Sequence, residues 1–159
     1  MEVKRGQVLF YHENGLVAKT IQKVTKGEFN HVELVVYNNI SLEVRPRHIR
    51  LIDMSAKELK SDEYIVIKDP KWSDMNTAIN HALKVMKEAK GYSLGNITAW
   101  FAMDHLRRGH RKDYESDDWI ICSELVADCL EIGGVRKNTT IENSLLSPND
   151  ILKYFDFED

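Results

Sequence analysis

The chain has 159 residues, of which 43% are hydrophobic and 30% charged, and a formal net charge of −3. That length suits one domain with a sizeable core, the composition is that of an ordinary globule, and the charge gives no electrostatic case for nucleic acid or an anionic membrane as partner. Two cysteines cannot make a disulfide framework, no stretch approaches a membrane span, and the opening Met-Glu-Val-Lys-Arg-Gly-Gln has no apolar signal segment, so a cytoplasmic location is expected.

In chain order, the first part is rich in strand signals. Val8–His12, 16–24, His31–Tyr37, Ile40–Arg45, 48–52 and Tyr64–Lys68 all read as strands. The second part is helical. Met75, Ala78, Ile79, Ala82, Met86 and Ala89 recur at helical spacing behind Ser73 or Asp74 as N-cap. A less regular helix is expected over 96–107. A helix from Cys122 runs to about Ile132 and stops at Gly133-Gly134. A last short helix starts at Pro148 behind Ser147 as cap and ends at Tyr154. Strands first and helices after predict an α+β fold with a mainly antiparallel sheet, as a single domain over 1–159.

The register of one hairpin can be argued. Val32, Leu34 and Val36 are the apolar set of one strand; Ile40, Leu42 and Val44 are that of the next. A two-residue Asn38-Asn39 turn would pair Leu34 with Glu43 and put a carboxylate into the core. A three-residue loop, Tyr37-Asn38-Asn39, pairs Val36 with Ile40, Leu34 with Leu42 and Val32 with Val44, and is the better register. His31, Glu33 and Val35 then share the other face with Ser41, Glu43 and Arg45. Glu43 lies across from Glu33 and diagonally from His31, within reach of its ring. Arg45, opposite His31, offsets part of this negative charge.

Cys122 stands at the head of its helix, in Ile121-Cys122-Ser123-Glu124-Leu125-Val126. A thiol there faces unpaired backbone N–H groups and the positive end of the helix dipole, which favours thiolate. Cys129, seven positions on and about 10 Å along the axis, is too far for a disulfide with Cys122 and reads as core. A Cys on a helix start and a His on a strand are the two halves of a papain-like thiol site, here with the His first in the chain. Zinc is disfavoured, because the spacing matches no common ligand pattern. His105 and His110 fall in a basic run and 113–118 is an acidic one; both read as solvated loops. Trp72, Trp100 and Trp119 read as packing residues.

Several segments resemble the permuted, papain-fold branch of the NlpC-type superfamily, which includes YiiX-like hydrolases and lecithin:retinol acyltransferase-like enzymes. Gly6-Gln7-Val8-Leu9-Phe10-Tyr11 is similar to the family's opening strand and Asn30-His31-Val32 to its "S-H-V". Leu42-Glu43-Val44 stands where its third polar residue falls, Gly91-Tyr92 matches part of a "G-x-x-Y" segment, and Ile121–126 is close to its "C-S-E-L-V" helix. Leu146-Ser147-Pro148-Asn149-Asp150-Ile151-Leu152 resembles its closing segment. Glu33 stands in place of the family's Gly, and Gln7 in place of its Asp.

The resemblance implies a sheet or half-barrel packed on the Cys helix, with Cys122 as nucleophile, His31 as general base and chemistry on a carbonyl through an acyl-enzyme. Glu43 is expected to orient His31. Tyr11, Glu33 and Ser123 are candidates for oxyanion or substrate binding. No cofactor or metal is expected. The leading expectation is a cysteine hydrolase, a thiol peptidase or amidase, on a peptide or other amide of the peptidoglycan type. An acyl hydrolase or acyltransferase on lipid or thioester substrates, and a binding module without turnover, are the alternatives.

Overall fold

A computed structural model describes residues 1–45, 48–88 and 121–159. The expectations for helix 96–107, for Gly91-Tyr92, Trp100 and Trp119, and for the basic and acidic runs lie outside the described residues. The elements are β1 (Val8–His12), α1 (Leu16–Thr25), β2 (His31–Tyr37), β3 (Ile40–Arg45), β4 (His48–Asp53), β5 (Tyr64–Lys68), α2 (Met75–Glu88), α3 (Cys122–Ile132) and α4 (Pro148–Tyr154). The fold is α+β. The five strands form one antiparallel sheet in the order β4-β3-β2-β1-β5.

Alternation along the strands divides the residues between two faces. Val8 and Phe10 of β1, Val32, Leu34 and Val36 of β2, and Leu42 and Val44 of β3 are buried in one core with α2 and α3. Ala78, Ile79 and Ala82 of α2 and Leu125, Val126, Cys129 and Leu130 of α3 complete that core, as their helical spacing predicts. Leu9, Tyr11 and Val35 point the other way, into a smaller cluster with Val3 and Met54. Each large side chain taken fully out of water contributes roughly 1.5–3 kcal/mol, so the helix-facing core dominates the stability.

The segment 16–24, expected as a strand, is instead helix α1. Its β-branched residues Val17, Thr20, Ile21, Val24 and Thr25 suggest extension, but they cost a helix only tenths of a kcal/mol each. The sheet leaves no place for a strand there, because β1 and β2 pair directly, Tyr11 opposite His31. The intervening chain must leave the sheet and return. It begins at Gly15, whose carbonyl accepts from Lys19 N–H, and ends at Lys26 in the left-handed conformation. Ala18 is the residue α1 buries, while Leu16 and Val17 stay exposed.

The hairpin between β2 and β3 combines the two registers weighed from sequence. Leu34 pairs with Leu42 and Val35 with Ser41, as the three-residue loop requires. Near the turn Tyr37, not Val36, pairs with Ile40, so the register slips by one between Val35 and Tyr37. An extra residue on one strand is how a bulge absorbs such a mismatch. The apolar pairs stay in the core, and a tight Asn38-Asn39 turn closes them with Asn39 at φ 61°.

The helix ends follow their local chemistry. Asp74 accepts from Thr77 N–H at 3.1 Å, which selects it over Ser73 as the cap of α2. α3 stops at Gly133, with Gly134 at φ 74°. Ser147 caps α4 in a capping box with Asp150.

Candidate active site

Two elements bring the chemistry together. His31 is the first residue of β2 and Cys122 the first of α3. α3 packs across β2, because its buried face and Val32 and Leu34 share one core, and this sets Cys122 against the start of the strand. His31 is buried and Cys122 partly exposed. The thiol interacts with the His31 ring and with the Val32 backbone.

Their mutual influence perturbs both groups in the direction of an ion pair. Burial alone would raise the Cys122 pKa, but the His31 charge and hydrogen bond, then the Val32 backbone and Arg45, outweigh it and bring it below that of an ordinary thiol. Burial alone would lower the His31 pKa; the Cys122 charge and hydrogen bond, with the hydrogen bond to Glu33, push it up to about 9. Cys122 also begins a helix whose N-cap, Ile121, offers no side-chain acceptor to the first turn, so the helix dipole adds to the thiolate's stabilisation. Cys129 is different. It is free and fully buried, and burial pushes its thiol pKa up.

The carboxylate in contact with the imidazole is Glu33. Its Oε1 lies 3.1 Å from His31 Nε2. Its Oε2 accepts from Tyr11 Oη at 2.8 Å and from Ser41 Oγ at 2.5 Å. Glu33 has 0% exposure, and burial alone would keep it protonated. The His31 hydrogen bond and charge, the Ser41 hydroxyl and the more distant Lys57 reverse that and hold its pKa below the usual carboxylate range.

Glu43, expected to orient His31, is held elsewhere. Its Oε1 accepts from Arg45 Nε at 3.0 Å and its Oε2 from Arg50 Nε at 2.7 Å. Arg50 is its cross-strand partner on β4. Arg45 also grips Glu13, at 2.6 and 3.1 Å. Burial works against ionisation of both carboxylates, but the arginine hydrogen bonds keep Glu43 and Glu13 below their ordinary range. The two facing glutamates therefore coexist because each has its own donors, hydroxyls and imidazole for Glu33, guanidinium groups for Glu43.

Tyr11, expected as an oxyanion donor, spends its hydroxyl on Glu33 and is fully buried, so that role does not fit it. Burial first, then the Glu33 charge, pushes its pKa up, which keeps it a donor. Ser123 is buried in the first turn of α3 and does not line an open surface. Ser41 was legible in the register as a face-mate of Glu33; its role as a donor to that carboxylate was not. Among the described residues, donor atoms of His31, Glu33 and Glu43 lie within 4.8 Å of one another, a spacing that could hold a metal ion. Arg45 and Arg50 already supply the positive charge at Glu43, so a cation would have to compete with both.

Among the described residues no helix is long and apolar enough to cross a membrane. No family model matches the chain, and no curated protein matches it significantly.

Proposed function

We propose that this protein is a cysteine hydrolase on a permuted papain-like fold, cleaving an amide bond through an acyl-enzyme. The observation that carries the reading is the meeting of Cys122, at the head of α3, with His31, at the head of β2. A thiol and an imidazole that bias each other toward thiolate and imidazolium are what nucleophilic attack on a carbonyl needs.

In the proposed reaction the Cys122 thiolate attacks the carbonyl carbon and a C–S bond forms. The oxyanion is held by the Cys122 backbone N–H at the helix start. The imidazolium of His31 gives its proton to the leaving nitrogen as the C–N bond breaks. Water then attacks the thioester, His31 takes its proton, and the acid leaves with the thiolate restored. The substrate class is a peptide or other amide, with peptidoglycan-type links included by the resemblance in the sequence.

The test is alkylation of Cys122 by iodoacetamide across pH, followed by a panel of peptide amides and acyl esters. A thiolate reactive well below the free-thiol pKa of about 8.5, lost in His31→Ala, is the expected outcome, with amide turnover abolished in Cys122→Ala. Ester or thioester turnover without amide turnover would move the assignment to acyl transfer. A thiol of ordinary reactivity, indifferent to His31, would leave a binding module and overturn the reading.

A further inference from the structure

Glu33 sits two residues after His31 on the same face of β2, and the next strands on either side supply its remaining partners, Tyr11 from β1 and Ser41 from β3. We propose that Glu33 is the positioning residue of His31, and that Tyr11 and Ser41 form the cradle that lets it act as one. This rests on the Cys122–His31 reading and assigns a role to residues outside that pair.

The argument is one of competing partners. A carboxylate can orient an imidazole only if an oxygen is left for the ring N–H and the charge survives burial. Glu33 meets both conditions. Its Oε2 takes the two hydroxyls, and its Oε1 faces His31 Nε2. Glu43 has donors from two arginines, one on each oxygen. With Nε2 committed to Glu33, Nδ1 is the nitrogen left for Cys122. Ring position and tautomer thus follow from a carboxylate that is itself held at two further points. A buried acceptor set of this kind also holds the imidazolium over the neutral range, since its partner cannot be replaced by water.

The experiment is an NMR titration of the His31 ring, run with the pH profile of Cys122 alkylation, in wild type, Glu33→Gln, Tyr11→Phe and Glu43→Gln. Glu33→Gln keeps the shape but removes the charge. The His31 midpoint is expected to fall by a unit or more, and alkylation at pH 7 to slow by about tenfold or more. Tyr11→Phe removes one oxygen from the cradle and should shift both readouts in the same direction by less. Glu43→Gln removes a nearby charge that two arginines already hold, and should lower the His31 midpoint by clearly less than Glu33→Gln does. A folded Glu33→Gln and a folded Tyr11→Phe with wild-type midpoints would overturn the assignment, as would a fall in Glu43→Gln as large as that in Glu33→Gln. The ring titration reads the Glu33 contact whether or not Cys122 is reactive. A midpoint lowered by Glu33→Gln, in a protein whose thiol ignores His31, would sink the hydrolase reading while keeping the positioning.

Discussion

At the scale of residues, the proposed chemistry depends on a proton that His31 can hold and release. With its pKa pushed up to about 9, the ring is an imidazolium at neutral pH and loses that proton near pH 9. Cys122 titrates below an ordinary thiol, so the thiolate is present from that lower limit upward. Amide turnover needs both the thiolate and the acid, and kcat/KM should follow a bell with its basic limb near pH 9. Alkylation needs only the thiolate and should not decline above pH 9. A pH profile of each rate on the same sample checks this; a basic limb in both, or in neither, contradicts the assignment of His31 as the acid. The signal for Glu33 was present in the chain as a His and a Glu two apart on a strand, which share a face by alternation. Sequence reasoning points to Glu43 because the hairpin register sets it diagonally from His31, within reach of the ring, and no register reveals that two arginines hold Glu43.

At the scale of elements, helix ends were the most legible features. Ser147-Pro148-Asn149-Asp150 carries a capping box in its own letters, and both of its bonds form, Ser147 Oγ accepting from Asp150 N–H at 3.2 Å and Asp150 Oδ2 accepting from Ser147 N–H at 2.9 Å. Replacing Ser147 with Ala should cost about 1–2 kcal/mol, since the site is buried and the Asp150 donor loses its acceptor. Urea denaturation would register this as a lower midpoint with an unchanged slope; no change would mean that the cap is satisfied by water. At helix α1 the structure departs from the strand that the residues suggest. Its β-branched residues favour extension only weakly, and the direct pairing of β1 with β2 decides against it. The hairpin turn shows the same division. The interior register followed from keeping Leu34 and Leu42 on one face, but the slip at Val36 depends on how the turn closes.

At the scale of the whole molecule, the end of the chain braces the start of the site. Asn149 of α4 accepts from Phe29 N–H at 2.9 Å and donates to Phe29 carbonyl at 2.7 Å, two residues before His31. A Cβ at Gly27 would lie 2.2 Å from that Asn149 side chain, so the close approach requires glycine there. Asn149→Ala should destabilise by about 1–3 kcal/mol through two unpaired backbone groups. Thermal and urea unfolding measure it, and a wild-type midpoint would show that the brace is dispensable. The sequence by itself determined the α+β character, the apolar faces of β2, β3, α2 and α3, the ends of α3 and α4, and Cys122 and His31 as a candidate pair. These are legible because alternation, helical spacing and capping act over a few residues. Only the tertiary structure decided that 16–25 is a helix, that Glu33 rather than Glu43 reaches His31, and that Tyr11 serves that carboxylate. Each of these turns on competition for hydrogen-bond partners between β1, β2, β3 and β4, and which donor reaches which acceptor is set only when distant strands are packed side by side.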